Sequence, residues 1–520
     1  MSQSGPDSAL PPGSPRAARF FVGVLWNWLG VAINIAIGLM LSPYMVRKLG
    51  SERYGIWALV FTLVEYLSFF DLGFSTAVVK FVAHYRARKE PDEINRVINT
   101  GLLYFVFAAA LFAAAAVAVA AYAGALFQIS NEGYRQDFRF LIVITGIGWG
   151  IAFPFQFFTG CLDAFQRYDH LTRAWIATLL IRAVSCAVLL YFGFGLKALG
   201  TMVVLGQIAG NVLAMLLFRS MFPAMRLSPS FVSLPLVREM MRYGMHSFLA
   251  NVSNLFINQA PPVIIGHQRP AAFVGYFTLP LRLLQYSVDG VARLGFVTRS
   301  NVAEMQAQGD ERKAYHLGIY LNRYCVALFA PLVIFLLVYG RELVRLWISP
   351  EFALYSAPLL PVLSIATLLA VAGQFNSGAV LYGLGRHSRM ARGLFVEGIL
   401  AAVLVWIVLP RYGILGAAWV TAAAMVFNRG LYVSWITCQA LHAPYFAYLR
   451  GIYLRPLLTA VPVLLLDYAL KLWGLRGETW SELLLIGVLT AVAYLVPALF
   501  TCASPEHRRL IVLWLRDHGR

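Results

Sequence analysis

The sequence contains few charged residues. Asp, Glu, Lys and Arg make up 13% of its 520 residues, whereas 60% are hydrophobic and the mean hydropathy is +0.69. Soluble domains carry about a quarter charged residues. The shortage of charge therefore excludes an ordinary soluble fold and indicates an integral membrane protein.

Metal-binding and catalytic motifs are also lacking. Five cysteines are present, none in C-x-x-C spacing, so neither a metal site nor a disulfide is indicated. The sequence contains no G-x-x-x-x-G-K-[ST] and no H-E-x-x-H motif. The hydrophilic intervals are too short for a separate soluble domain. We therefore expect no enzymatic activity, no cofactor, no metal and no direct use of ATP.

Long apolar runs fill most of the chain. A helix needs about 20 mostly apolar residues to cross a hydrocarbon core of about 30 Å. Fourteen runs meet this requirement, at 20–46, 54–83, 97–123, 138–162, 171–192, 198–218, 242–266, 273–297, 316–339, 357–383, 390–410, 413–440, 452–471 and 482–501. They predict an all-α membrane protein with about fourteen transmembrane helices.

The distribution of Lys and Arg predicts the orientation. With the N-terminus in the cytoplasm, and with residues near the end of a span counted with the nearer side, 25 of the 42 lie on the cytoplasmic side, 12 on the outer side and 5 deep within spans. Cytoplasmic loops are enriched in these residues. We therefore expect both termini in the cytoplasm of a bacterial inner membrane. The net charge of +18 then reflects orientation, and no nucleic acid partner is expected.

The two halves of the chain resemble each other. A shift of 220 residues places Asn34 on Asn254 and Gly55 on Gly275, and it superimposes the first predicted span on the seventh. Such parallel repeats occur in transporters. We expect a disordered cytoplasmic N-terminus (1–19), a six-helix lobe (20–219), a cytoplasmic linker (220–241), a second six-helix lobe (242–440), two extra helices (441–503) and a basic amphipathic cytoplasmic tail (504–520).

Asparagines line the first span of each half. Asn27 and Asn34 share one face of the first span, and Asn251, Asn254 and Asn258 lie along the seventh. An unpartnered amide in hydrocarbon costs several kcal/mol. These faces therefore either form hydrogen bonds between helices or line a polar cavity. The match between the halves favours the cavity.

Cations outnumber acids in the middle of the membrane. Arg182, Arg282 and Arg429 lie in central or inner positions, and Arg293 follows on the face of Arg282. A charge at mid-bilayer costs at least about 2.5 kcal/mol and usually faces a cavity or the bundle interior. Because the guanidinium group is planar and has five donors, it suits phosphate. Together these four arginines predict a binding site for an anion.

Four acidic residues within spans are candidates for ion coupling, namely Glu65, Asp71, Asp289 and Glu397. One interpretation is coupling to a proton or Na⁺, for which Glu65, about 16 Å from the outer end of its span, is central. The alternative is internal neutralisation, with Asp289 paired to Arg293 and Glu65 to Arg282.

The segment FFDLGFSTAVVK (69–80) places two charges at different depths. Asp71 lies about 26 Å from the outer end of the second span, and Lys80 reaches the cytoplasmic interface, where a long amine extends to water. Gly73 follows Asp71 by two residues. We expect the helix to bend there.

The stretch LGSERYGIWALVFTLVEYLSFFDLGFSTAVVKFVAHYRARKEPDEINRVINT (49–100) resembles the polysaccharide transporters, or Wzx-type flippases, of the multidrug/oligosaccharidyl-lipid/polysaccharide exporter superfamily. VGYFTLPLRLLQY and YGILGAAWVTAAA in the second half are similar to that family as well. The resemblance implies two pseudo-symmetric six-helix bundles with alternating access, and a substrate of sugars on a polyprenyl pyrophosphate.

On this resemblance the four arginines hold the pyrophosphate and the five asparagines contact sugars. Expected partners are the lipid-linked oligosaccharide, membrane lipids and polysaccharide polymerase or assembly proteins. The two extra helices depart from the twelve-helix core and leave a peptidoglycan lipid-precursor flippase open. A cation-coupled drug exporter and a non-transporting scaffold of an assembly complex are further alternatives, and the arginine surplus disfavours the exporter.

Overall fold

The computed structural model describes residues 15–66, 68–292, 302, 304–306, 308, 310–504 and 507–508. The helices, numbered in chain order, are α1 (Pro15–Leu49), α2 (Ser51–Glu65), α3 (Ser68–Asp71), α4 (Phe74–Arg88), α5 (Pro91–Ala121), α6 (Ala123–Leu126), α7 (Glu132–Ala164), α8 (Tyr168–Tyr191), α9 (Leu196–Met221), α10 (Leu234–Gln268), α11 (Ala272–Ala292), α12 (Glu311–Trp347), α13 (Pro350–Tyr355), α14 (Leu359–Ala372), α15 (Gly378–Gly383), α16 (Ser388–Met425), α17 (Val433–Ala440), α18 (Tyr445–Leu472) and α19 (Trp480–Thr501). A short 3₁₀ helix covers Pro229–Phe231, and π-helices cover Gly373–Ser377 and Val426–Tyr432.

Eleven helices in the described ranges are long and apolar enough to cross a membrane. This confirms an all-α membrane protein, but the predicted count of fourteen is not confirmed. The predicted runs 242–266 and 273–297 fall on α10 and α11, which are absent from the eleven. The runs 390–410 and 413–440 fall in one span, Ser388–Ala440, which Gly413 interrupts with φ 61° and ψ −161°.

Helix boundaries repeat along the chain as the sequence shift predicts. α5 begins at Pro91 and α12 at Glu311, which lies 220 residues later. α1 and α10 each contain 35 residues. Gly193 and Gly413 are separated by the same interval, and both have positive φ angles, 79° and 61°. The interruption at Gly413 is therefore the counterpart of the turn between α8 and α9.

Counterpart residues of α2 and α11 contact each other. A Cβ atom added to Gly55 would lie 2.0 Å from the carbonyl oxygen of Ala271, and one added to Gly275 would lie 3.6 Å from Cα of Gly55. The backbone N–H of Ala272 donates to Oε2 of Glu52 at 3.4 Å. Only glycine permits this approach at residue 55. The first turns of α2 therefore pack with α11.

The predicted bend after Asp71 is present. Leu72 and Gly73 have φ angles of 45° and 76°, and α4 starts directly afterwards. Oδ1 of Asp71 accepts hydrogen bonds from the backbone N–H and the hydroxyl of Ser75, at 3.0 and 2.8 Å. A Cβ on Gly73 would lie 2.1 Å from the carbonyl oxygen of Gly244 in α10. The break therefore serves both helix capping and close packing.

The chain divides into two compact units. The described residues of Met1–Leu49, Val64–Leu126 and Asn131–Phe248 form the first, and those of Gly50–Leu63, Phe127–Ser130 and Leu249–Arg520 form the second. The predicted domain limits stay predictions. Of the predicted N-terminal segment 1–19 and tail 504–520, residues 1–14, 505, 506 and 509–520 lie outside the described residues.

The two C-terminal helices are attached to α12 through arginine. In α12, Arg323 donates from Nε to the carbonyl oxygen of Gly451, at 2.7 Å, and from Nη1 to that of Cys502, at 3.4 Å. Arg455 donates from Nη1 to the carbonyl oxygen of Thr501, at 3.3 Å. The carbonyl end of a helix favours cations. These contacts hold the end of α19 against α12 and α18.

Candidate functional site

α10 presents three asparagines on one exposed face in the second unit. Asn251, Asn254 and Asn258 are exposed, and their spacing of three and four residues places them on one side of the helix. Nδ2 of Asn258 donates to the carbonyl oxygen of Asn254 at 2.9 Å. We call these three residues the asparagine face.

The other side of α10 is fixed by packing. Ser253 and Ile257 have exposed fractions of 0% and 7%. A Cβ added to Gly398 of α16 would lie 2.8 Å from Cβ of Phe256 and 3.3 Å from the carbonyl oxygen of Ser253. Because α10 and α16 approach this closely, the rotation of α10 is set. The asparagine face then points away from the core of the second unit.

α11 carries a second polar face in the same unit. Arg282 and Gln285 are exposed and Asp289 is half-buried, whereas Leu284 and Val288 are buried on the other side. Nε2 of Gln285 donates to Oδ1 of Asp289 at 2.7 Å. We call Arg282, Gln285 and Asp289 the arginine face. It offers a cation and an amide along one side of a helix that ends near Asp289.

Several predicted site residues lie elsewhere or outside the described residues. In the first unit, Asn34 on α1 and Arg182 on α8 are half-buried, and the exposed Glu65 is the last residue of α2. The side chain of Asn27 and the whole of Arg293 are outside the described residues. The predicted pairing of Asp289 with Arg293 therefore stays a prediction.

Arg429 forms a buried ion pair. It donates from Nε to Oε1 and Oε2 of Glu397, at 3.0 and 3.2 Å. Nδ2 of Asn428 donates to Oε2 of Glu397 at 2.7 Å, and Nη1 of Arg429 donates to Oε1 of Gln374 at 2.9 Å. Arg429 and Glu397 are 7% and 4% exposed. Two predicted site residues, one assigned to substrate and one to ion coupling, are thus partners of each other.

Two π-helices meet at Arg429. Arg429 lies in Val426–Tyr432, and Gln374 lies in Gly373–Ser377. A Cβ added to Gly373 would lie 1.6 Å from the carbonyl oxygen of Arg429. Within α-helices, π segments are rare and are frequent at functional positions. The pair therefore lies where two helix irregularities meet.

The structure also places polar residues that the sequence reading did not single out. Nδ2 of Asn322 donates to the hydroxyls of Ser377 and Tyr448, both at 2.9 Å, and all three residues are fully buried. Oδ1 of Asn322 is buried and has no hydrogen-bond partner among the described residues. The feature of the sequence that could have identified Asn322 is its amide side chain inside the apolar run 316–339. Among the described residues, no group of three His, Cys, Asp or Glu is placed to hold a metal ion.

Comparison with known proteins identifies the family of this chain. Residues 20–293, more than half of the chain, match the model described as "Polysaccharide biosynthesis protein". The chain is similar to the uncharacterized membrane protein EpsK of Bacillus subtilis (strain 168), at 21% identity over 95% of this chain and 97% of that protein. It is also similar to a putative O-antigen transporter of Shigella flexneri, at 20% identity over 79% of this chain and 96% of that one.

A solved structure shows the same fold. The lipid II flippase MurJ, in an inward closed conformation, matches with a TM-score of 0.68 and 12% identity over 96% of this chain and 100% of that one. The match includes the two C-terminal helices, since it covers nearly the whole chain. On the evidence of the family match, the chain belongs to the polysaccharide biosynthesis protein family.

Proposed function

We propose that this protein is a flippase, without catalytic activity, that moves a polyprenyl-pyrophosphate-linked oligosaccharide to the outer leaflet of the bacterial inner membrane. The observation that carries the proposal is the pair of exposed polar faces on α10 and α11, each of which has buried apolar residues on its other side. Family membership supports a role in polysaccharide export, such as O-antigen, capsule or exopolysaccharide. Membrane lipids and polysaccharide polymerase or assembly proteins are the expected partners.

The two faces match the two parts of such a substrate. Sugar hydroxyls need hydrogen-bonding partners when they leave water, because an unpaired polar group in hydrocarbon costs several kcal/mol. The amides of Asn251, Asn254 and Asn258 both donate and accept hydrogen bonds. Arg282 supplies a guanidinium for the pyrophosphate. The lipid tail stays in the bilayer.

The remaining predicted arginines have different proposed roles. Arg182 and Arg293 stay candidates for the pyrophosphate. Arg429 already donates to Glu397 and Gln374, so we assign it to positioning the π segments rather than to substrate. Asn27 and Asn34, the counterparts of the asparagine face on α1, stay candidates for sugar contacts.

Transport by alternating access follows from the repeat. In transporters built from such repeats, one repeat rocks against the other around a fixed site. An anion that crosses fully from a negative interior gains about 2.3 kcal/mol per charge per 100 mV. The membrane potential therefore favours export of a pyrophosphate. Coupling to a proton or Na⁺ through Glu65 stays a prediction.

A peptidoglycan lipid precursor is the second candidate substrate. The fold match to the lipid II flippase MurJ covers 96% of this chain, including the two C-terminal helices. Both substrates present a pyrophosphate and sugars to the two faces. Proteoliposomes containing one lipid or the other separate them, because only the true substrate should move.

Replacement of Arg282 tests the proposal. In cells that lack the native gene, Arg282→Ala should reduce surface polysaccharide at least tenfold, and Arg282→Lys should keep part of the export because it keeps the charge. Arg341→Ala, which removes another exposed arginine of the second unit, is the matched control and should export normally. Wild-type export by Arg282→Ala would overturn the pyrophosphate role, and export that persists with the two lobes cross-linked would favour a scaffold.

A further inference from the structure

A cavity of about 770 Å³ lies in the second unit, away from the asparagine and arginine faces. It is formed where α15 and α17 end and where α16 and α18 begin. Its wall includes Arg386, Arg389, His442, Trp435 and Tyr445. None of the described residues that line it is acidic. On the predicted orientation, these helix ends lie at the cytoplasmic surface of the membrane.

Each of the two arginines of this cavity donates one hydrogen bond to another described residue. Nη1 of Arg386 donates to the carbonyl oxygen of Ala440 at 2.8 Å, and Nη1 of Arg389 donates to Oε1 of Gln439 at 3.0 Å. A guanidinium has five N–H donors, so most donors of each arginine stay available. Both side chains are exposed. Two oriented guanidiniums suit a phosphate.

His442 adds a third polar group through an unusual backbone. Its φ angle is 48°, in the left-handed region that residues other than glycine seldom adopt. The turn that holds it separates α17 from α18, and its side chain is exposed at the cavity wall. Such outliers cluster at ligand sites. The cavity therefore presents an imidazole beside two guanidiniums.

An apolar track leads away from the cavity. Phe427, Leu431 and Trp435 have exposed fractions of 71%, 42% and 42% and follow one another at intervals of four residues. The π-helix Val426–Tyr432 has a wider turn than an α-helix, which keeps this spacing on one side. Trp435 belongs to both the track and the cavity wall. Tryptophan is enriched at the membrane–water interface.

We propose that this cavity binds the phosphodiester head group of an anionic phospholipid, with its acyl chains along Phe427, Leu431 and Trp435. Basic pockets between helices on the cytoplasmic side bind such head groups. A soluble phosphate compound would use the cations and leave the apolar track without a ligand. The site is independent of the proposed transport, because it shares no residue with either polar face.

Native mass spectrometry of the delipidated full-length protein tests the site. Phosphatidylglycerol should bind at least fivefold more tightly than phosphatidylcholine. The variant Arg389→Gln/His442→Gln should weaken phosphatidylglycerol binding at least fivefold. Arg392→Gln removes an exposed arginine of the same helix that does not line the cavity, and it should bind like the wild type.

Gln439→Glu tests the site without removing a cation. It adds a carboxylate at an exposed position of the wall, so the fold should be kept while phosphatidylglycerol binding falls. Equal binding of the two lipids, or equal losses in Arg392→Gln and Arg389→Gln/His442→Gln, would overturn the proposal in favour of general surface attraction. Displacement of phosphatidylglycerol by millimolar inorganic phosphate would overturn it in favour of a soluble ligand.

Discussion

The second unit holds two kinds of intramembrane polar group, and they differ in burial. Glu397 and Arg429 are buried and bonded to each other, whereas the asparagine face and Arg282 are exposed. From the sequence alone, Arg429, Arg282 and the asparagines were candidates for substrate binding and Glu397 for ion coupling, because each is a polar residue within an apolar run. The contrast shows that depth in the membrane does not by itself identify a binding residue.

Glu397→Gln should have the largest effect on stability. It leaves the Arg429 guanidinium buried without its carboxylate, and breaking a buried pair in this way costs about 3–5 kcal/mol. Thermal unfolding in detergent measures the loss. Asp289→Asn, at a half-buried carboxylate on the arginine face, is the control and should stay within about 0.5 kcal/mol of the wild type. Adding Arg429→Met should restore much of the stability, and failure to do so would show that the pair is not the cause.

Gly373→Ala should have the next largest effect on stability. The new Cβ would meet the carbonyl oxygen of Arg429 at 1.6 Å, which forces the two π segments apart at a cost of about 1–3 kcal/mol. Gly195→Ala is the control, since no atom lies within 4 Å of a Cβ there. Equal melting temperatures for the two variants would contradict the close approach.

Asn254→Ala should separate transport from stability. The asparagine face is exposed, so we expect the free energy of unfolding to change by less than about 0.5 kcal/mol. Loss of a hydrogen bond to a sugar is worth about 1 kcal/mol, which corresponds to about fivefold slower transport in proteoliposomes. A variant that unfolds readily but transports normally when folded would place Asn254 among the structural residues.

Asp467→Asn should reduce stability less than Glu397→Gln or Gly373→Ala, although Asp467 is a fully buried carboxyl. Oγ1 of Thr490 lies 2.9 and 2.8 Å from its two oxygens and 2.9 Å from the carbonyl oxygen of Ile486. An asparagine amide can donate to that hydroxyl and keep the contact, so unfolding should change by less than about 1 kcal/mol. A loss as large as that of Glu397→Gln would show that charge is essential at this position too.

Much of the fold was predictable because it depends on local patterns. Apolar runs predicted the helices, Gly73 predicted the bend, and the 220-residue shift predicted the matching boundaries at Pro91 and Glu311. Hydropathy could not give the same count of spans, because polar residues lower the average of α10 and α11 and because the turn at Gly413 continues into the next helix without a gap.

The site was less predictable because pairing depends on tertiary contacts. The spacing of Asn251, Asn254 and Asn258 was enough to place them on one face. Glu397 and Arg429 lie on different predicted spans, and their contact depends on how α16 packs against the π segment Val426–Tyr432. No periodicity in the sequence predicts this packing between helices. The cavity lined by Arg386 and His442 likewise combines residues from two separate helix junctions.

The central claim is that the asparagine face meets water and substrate rather than lipid. Labelling of Asn254→Cys with a membrane-impermeant maleimide in inside-out membrane vesicles tests it, against a low background because all five native cysteines are buried. Leu484→Cys, at an exposed apolar position of α19, is the lipid-facing control. We predict that Asn254→Cys reacts, that lipid-linked oligosaccharide protects it, and that Leu484→Cys stays unlabelled. Labelling of Asn254→Cys no faster than that of Leu484→Cys would contradict the account.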